Sequence, residues 1–261
     1  MSAKVYTVSD LFYTSWAELQ HRPKAHAEVV VLQAESEKMK ADADAEYGFR
    51  LIALLKRLVK NQKLVDKITV EQAVDIYNSL TFLTEPWYFF PRLGGWTPAE
   101  HLATSTFDHF IFADNEFTKL LASPQPSAEG AGEVQGLARL AATLYMPKFD
   151  KEQVAIDALR VAKLPLYKLQ LVFFTYGHVR EFVIKRCKHL LPSSPSPQPS
   201  PGGEGEERSK VVATGPMWHN IKHQAARTLV FGDFVTLGRS NMYDVLDHLE
   251  LIAKEKNNAK P

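Results

Sequence analysis

The sequence predicts an all-α fold, an irregular bundle of about nine to ten helices with two flexible surface loops. Apolar residues recur every three to four positions through most of the 261 residues, as on the buried face of a helix. Capping patterns precede several of these segments. The best strand candidate is residues 28–32 (EVVVL), but this segment lies between Pro23 and a run of helix formers, so we predict helix there as well.

In the N-terminal part, local signals mark where helices begin. Ser15 with Glu18, and Thr69 with Gln72, have the spacing of a capping box. Pro23 suits the first turn of a helix, where its missing N–H would have no partner in any case. Between these signals, residues 49–59 carry apolar side chains at helical spacing. We therefore predict helices after Ser15, Pro23 and Thr69, and one through 49–59.

Further helices are predicted in the second half of the chain. The sequence Thr-Pro-Ala-Glu at 97–100 combines a capping hydroxyl, a proline and an acid, which predicts a helix start. The segment from Pro165 has apolar residues around much of its circumference, as expected of a central helix buried on most sides. The other predicted helices begin near residues 107, 137, 150, 215 and 241.

Two segments lose their apolar content and divide the chain. Residues 122–135 (ASPQPSAEGAGEVQ) predict a flexible loop, and 192–209, rich in Pro, Ser and Gly, cannot form a packed core. We therefore predict a main helical domain over 1–191, a disordered insert over 192–209, and a C-terminal helical pair over 210–261 that packs on the main domain.

Composition excludes several classes of protein. Lys and Arg total 31 and Asp and Glu total 30, so the net charge of +1 gives no reason to expect nucleic acid or a membrane surface as partner. The single cysteine, Cys187, forms no internal disulfide, which fits a reducing compartment. The chain shows neither a membrane-length apolar run nor a secretion signal at its N-terminus. We expect a cytoplasmic protein.

The most unusual feature is an aromatic stretch over 87–96, which proline and glycine residues keep from forming a continuous helix. Three interpretations are open: a loop that tucks its rings into the core, a protein-contact surface, or a platform for stacking nucleobases beside Arg92 and Lys56. We predict that these aromatic residues bind a protein partner: Trp87, Tyr88, Phe89, Phe90 and Trp96.

His219 and His223 are the strongest metal-binding candidates, because a spacing of four points both imidazoles the same way on a helix. Asn220 replaces the glutamate that a zinc-protease motif requires, and no third ligand stands at an obvious spacing. A helical metal protein or enzyme built on this pair is the alternative hypothesis, and nucleic-acid binding by 56–63 and 185–189 is a third.

No other group predicts catalysis. Cys187 and His189 face different directions on a helix, so a buried structural thiol is the favoured interpretation. Residues 108–116 contain several ionisable groups, of which Asp108 suits the N-terminus of a helix. We predict no catalytic residue, no cofactor and no metal.

Several segments, taken in order, carry a resemblance: LTFLTEPWYFF (80–90), GWTPAEHL (95–102), STFDHFIFADNEF (105–117), LARLAATLY (137–145) and NMYDVLDHLELIAKEK (241–256). Together they resemble helical proteins of unknown activity encoded among the structural genes of tailed prophages, where tail assembly chaperones are found. The resemblance implies a non-enzymatic role in building a phage-like tail, with a tail tube or tape-measure protein as partner, and it carries over no catalytic residue.

Overall fold

The structure, a computed structural model, describes seven stretches of the chain: 11–39, 45–60, 68–93, 97–122, 131–191, 215–228 and 230–258. These stretches contain eleven α-helices, two 3₁₀ helices and no strand, which confirms the all-α prediction. Within them, every helix is too short or too polar to cross a membrane.

The helices follow one another along the chain, with short turns or segments outside the described ranges between them. The N-terminal elements are α1 (Trp16–Gln20), α2 (Pro23–Met39), α3 (Ala45–Leu58), α4 (Val70–Ser79) and a 3₁₀ helix (Thr81–Thr84). The remaining elements are a 3₁₀ helix (Glu100–Leu102), α5 (Phe107–Ala122), α6 (Ala131–Leu144), α7 (Lys151–Val161), α8 (Leu166–Arg186), α9 (Gly215–Ala226), α10 (Phe234–Arg239) and α11 (Met242–Asn258).

Most of the predicted helix starts are confirmed, because local hydrogen bonds satisfy the free N–H groups there. Thr69 and Gln72 form the complete capping box of α4, with each side chain accepting from the other residue's backbone N–H. Ser15 caps α1, whereas the carboxylate of Glu18 accepts from the N–H of Thr14. Residues 28–32 lie within α2, so the helical interpretation of that segment is also confirmed.

The helix predicted to start at 97–100 is wrong, since only a 3₁₀ helix forms there before α5 begins at Phe107. His101 and Leu102 adopt left-handed backbone conformations (φ 53° and 59°), which end regular helix. Side chains of the C-terminal segment donate hydrogen bonds to carbonyl groups that a helix would have used. The Tyr243 hydroxyl donates to the His101 carbonyl at 2.7 Å, and the Asn241 amide donates to the Ala103 carbonyl at 2.8 Å.

Two other boundaries differ from prediction. The helix α6 begins at Ala131, so 131–135 is helical although we predicted a loop over 122–135, and 123–130 lies outside the described residues. Described residues of 210–261 contain three helices rather than a pair, because Asp233 caps the short helix α10 by accepting from the N–H of Thr236. The predicted insert 192–209 lies outside the described residues.

The buried apolar side chains form two main clusters that share one helix. The first gathers α1 to α4 and includes Trp16, Leu55 and Trp87, and the second gathers α5, α6 and α9 to α11. The helix α8 places Leu171 in the first cluster and Val172 in the second. The prediction of a central helix is therefore confirmed, and the boundary between the two cores runs along α8.

Candidate functional site: a cavity between the two cores

A cavity of about 440 Å³ lies where the two cores meet. The turn between α1 and α2 forms one wall, the segment 89–92 forms a second, and the first half of α8 forms the third. Its size is within the range of small-molecule sites in proteins. The described residues that line it are Gln20, His21, Pro23, His26, Phe89, Phe90, Pro91, Arg92, Lys168, Leu171 and Thr175.

His26 is the most unusual residue of the cavity. It stands in the first turn of α2, because Pro23 starts that helix, and it shares a buried face with Val29 and Val30. Only 2% of its surface is exposed. Its ring packs against both Trp16 and Trp87, with centroids 5.1 and 5.2 Å away, and the two indoles also contact each other. The fold thus places a polar ring among aromatic side chains.

The Nε2 atom of His26 has no hydrogen-bond partner among the residues that the structure describes. Burial lowers the pKa of His26 to about 4, so the ring is neutral near pH 7. A buried polar atom without a partner destabilises a fold by about 1–3 kcal/mol. His26 contributes to the wall of the cavity, and a ligand that reached this buried nitrogen would give it the hydrogen bond it lacks.

The aromatic segment is held against the rest of the protein by hydrogen bonds. The Trp87 indole donates to the Thr175 hydroxyl of α8 at 3.1 Å, and that hydroxyl donates to the Phe89 carbonyl at 3.4 Å. The Trp16 indole donates to the Glu85 carbonyl at 2.8 Å. The wall of the cavity is therefore fixed to α1 and α8 before any ligand arrives.

The charged side chains around the cavity have one sign. Arg92 is exposed, Lys168 is half-buried, and no acidic residue occurs among the described residues that line the cavity. Phe89, Phe90 and Leu171 supply apolar walls below them. Electrostatics therefore favours an anionic group at the mouth and an apolar body beneath it.

The structure places the five predicted partner-binding residues differently from one another. Trp87 and Phe90 are core residues with 5% and 4% of their surface exposed, and Tyr88 and Phe89 are half-buried. Trp96 lies outside the described residues. Trp87 and Phe90 offer no free face to a protein partner in this conformation. Phe89 and Phe90 line the cavity instead.

The ionisable groups of α5 pair with structural partners. Asp114 is fully buried and accepts from Arg180 at 2.6 Å. Burial would raise the pKa of Glu116, but hydrogen bonds from Arg139 and Lys119 lower it. His109 binds the Thr143 carbonyl at 2.7 Å, and burial lowers its pKa. These contacts hold α5 against α6 and α8.

Cys187 and Asp108 also have structural surroundings. Burial raises the pKa of the Cys187 thiol to about 12, which agrees with the predicted structural role. Asp108 lies in the first turn of α5, as predicted, and it pairs with the buried Lys222 of α9 at 2.5 Å.

The structure brings His219 and His223 together on the exposed face of α9. Their Nε2 atoms are 3.2 Å apart. Among the described residues, no group of three or more His, Cys, Asp or Glu side chains is placed to hold a metal ion. The predicted direction of the two rings is confirmed, and the alternative metal or enzyme function remains a prediction.

The residues that define the cavity were not predicted as a site. A weak signal existed, since His26 is a lone polar residue beside Ala27, Val29 and Val30 on the apolar face of α2. Sequence spacing could not bring together Arg92 and Lys168, which are on separate elements. Comparisons with family models, curated proteins and solved structures found no match to this chain.

Proposed function

We propose that this chain is a non-enzymatic binding protein whose cavity accepts a small amphipathic anion. The observation that carries this proposal is a cavity lined by two cationic side chains, Arg92 and Lys168, and by His26, whose buried Nε2 has no partner among the described residues. A carboxylate or sulfonate would pair with the rim, and its apolar body would contact Phe89 and Leu171.

The surroundings of the cavity favour binding over catalysis. Nucleophilic catalysis needs a nucleophile activated by a base. The Thr175 hydroxyl is the nearest candidate, but it already contacts the Trp87 indole and the Phe89 carbonyl. A histidine whose pKa is about 4 is also a weak base at neutral pH.

The test measures binding of 6-hydroxy-2-naphthoate to the full chain by calorimetry. This probe has a carboxylate for the rim, a flat apolar body, and a hydroxyl that can bond to His26. We expect binding to weaken at least tenfold in Arg92→Ala and in His26→Phe, because each loses one directional contact. Lys163→Ala, an exposed cation in the turn before α8, is the matched control and should bind as the wild type does.

The uncharged carboxamide of the same probe tests the role of charge. We expect the amide to bind at least tenfold more weakly than the carboxylate. Equal binding of amide and carboxylate, unchanged affinity in Arg92→Ala and His26→Phe, or no binding of either compound would contradict the proposal. Circular dichroism of each variant checks that the helices are intact.

A second candidate function is protein contact in phage tail assembly, which follows from the resemblance of the sequence. The observation that favours it is an exposed apolar face formed by Ile156 and Leu159 of α7, which are 52% and 61% exposed. Co-expression with the tape-measure protein of the same gene cluster tests this function. We expect a complex that Ile156→Asp/Leu159→Asp disrupts and Lys163→Ala preserves. Failure of the wild type to form it would contradict this candidate.

A further inference from the structure

The exposed side of α9 carries two imidazoles whose Nε2 atoms lie within hydrogen-bonding distance of each other. His219 and His223 are both exposed, and their Nε2 atoms are 3.2 Å apart. The ring centroids are farther apart, at 4.8 Å, so the rings converge toward their Nε2 ends. The planes of the two rings are almost perpendicular, at 81°.

This separation matches that of two ligands on one metal ion. Zinc binds histidine nitrogen at about 2.0–2.1 Å, so two nitrogens about 100° apart around the ion are separated by about 3.2 Å. This angle lies between the 90° of square or octahedral coordination and the 109° of tetrahedral coordination. No rotation of α9 is needed to bring both nitrogens to one ion.

The surroundings hold the pair in place. Trp218 and Ile221 are buried in the core, which fixes the orientation of α9 and turns its histidines outward. The Phe234 ring of α10 lies 4.6 Å from the His223 ring, and the two ring planes are tilted by 32°. The nearby ammonium of Lys222 is paired with Asp108 at 2.5 Å, so its charge is already balanced.

We propose that His219 and His223 form an open two-histidine site for a divalent first-row transition metal ion. The described residues supply two protein ligands, which leaves the other positions to water or to a small ligand. Imidazole with water oxygen suits Cu²⁺, and the general order of affinities places Cu²⁺ above Ni²⁺ and Zn²⁺. This site is on α9 and is independent of the cavity beside His26.

The experiment titrates the full chain with Cu²⁺ alone in a weakly coordinating buffer, and follows heat and the electron paramagnetic resonance spectrum. We expect one ion per chain, with hyperfine structure from two nitrogens. His219→Ala and His223→Ala should each weaken binding at least tenfold. Gln224→Ala changes an exposed neighbour on α9 and should leave binding unchanged.

A swap of neighbouring residues tests spacing separately from the number of histidines. In His223→Gln/Gln224→His the second histidine moves by one position, about 100° around the helix. We expect the swap to bind as weakly as His223→Ala. No Cu²⁺ binding by the wild type, wild-type affinity in the two single alanine variants, or wild-type affinity in the swap would each overturn the proposal.

Discussion

At the scale of single residues, this protein buries several polar groups and treats them in two ways. Asp114 and Glu116 are almost fully buried, and each is held by a guanidinium group, Arg180 and Arg139 respectively. His26 is buried as deeply but has an Nε2 atom without a partner in the described part of the chain. The paired groups fix α5 in the fold, whereas the Nε2 of His26 is left without such a partner.

His26 predicts a loss of stability in acid. Burial lowers its pKa from the ordinary value of 6.5 to about 4 in the folded state, so between these values only the unfolded chain takes up the proton. The free energy of unfolding should therefore fall as the pH falls from 6.5 to 4, by roughly 3 kcal/mol from this group. Urea unfolding at about pH 7 and about pH 4.5 measures this change.

The matched variant is His26→Phe, which keeps an aromatic ring and cannot titrate. Its stability should fall less over the same pH interval. Part of the decline should remain, because burial also lowers the pKa values of His109 and His178. An equal decline in wild type and variant would show that His26 is not the source.

The ion pair of Asp114 and Arg180 predicts a large effect of mutation. Arg180→Ala removes the guanidinium from a fully buried carboxylate, which typically destabilises a protein by roughly 3–5 kcal/mol. Lys185→Ala is the control from the same helix, because Lys185 pairs with Glu181 at the surface. We expect no measurable change for the control in urea unfolding. A small effect of Arg180→Ala would mean that Asp114 is stabilised by its other contacts.

At the scale of elements, the packing of the C-terminal helices involves a close approach of α10 to α5 and α9. Gly238 of α10 lies directly against the ion pair of Asp108 and Lys222, which joins α5 to α9. A Cβ atom on Gly238 would be 2.0 Å from an Asp108 oxygen and 2.6 Å from the Lys222 nitrogen. A side chain at this position would therefore displace the ends of the Asp108 and Lys222 side chains.

Gly238→Ala should therefore destabilise the protein by about 1–3 kcal/mol, since the new methyl group forces the helices or the ion pair apart. Gly132→Ala is the matched control, because a Cβ atom there would have no neighbour within 4 Å. That variant should be unchanged or up to about 1 kcal/mol more stable, through the lower entropy of its unfolded chain. Thermal unfolding of both variants compares the two, and equal effects would contradict the packing argument.

At the scale of the whole molecule, α8 joins two cores that would otherwise be separate. Leu171 packs in the N-terminal core, and Val172 and Tyr176 pack in the C-terminal one. Trp87 adds a second connection through its hydrogen bond to Thr175. Loss of order in either core exposes one side of α8, so the two cores should unfold together.

Tryptophan fluorescence can report on each core separately. Trp16 and Trp87 belong to the N-terminal core and Trp218 to the C-terminal one. Two variants are needed, and both carry Trp96→Phe. The variant with Trp218→Phe keeps only the tryptophans of the N-terminal core, and the variant with Trp16→Phe/Trp87→Phe keeps only Trp218 of the C-terminal core. In each variant we expect the fluorescence and circular dichroism transitions to coincide. Separate midpoints would show two independent units.

The helical class of this protein was predictable because it depends on local order. Helix starts at Ser15, Thr69 and Asp150 were also predictable, since a cap satisfies backbone groups within three residues of itself. The spacing of His219 and His223 fixed their common direction in the same way. The helix predicted from 97–100 did not form: His101 and Leu102 are left-handed, and Tyr243 and Asn241, far along the chain, bind the carbonyls of His101 and Ala103.

The sequence by itself determined most of the helices and several of their caps, because these follow from interactions over three or four positions. Only the tertiary structure decided that Trp87 is buried, and that His26, Arg92 and Lys168 surround one cavity. Those three residues come from elements far apart in the chain. Their meeting depends on how α2 and the aromatic segment pack on α8, which no local pattern specifies.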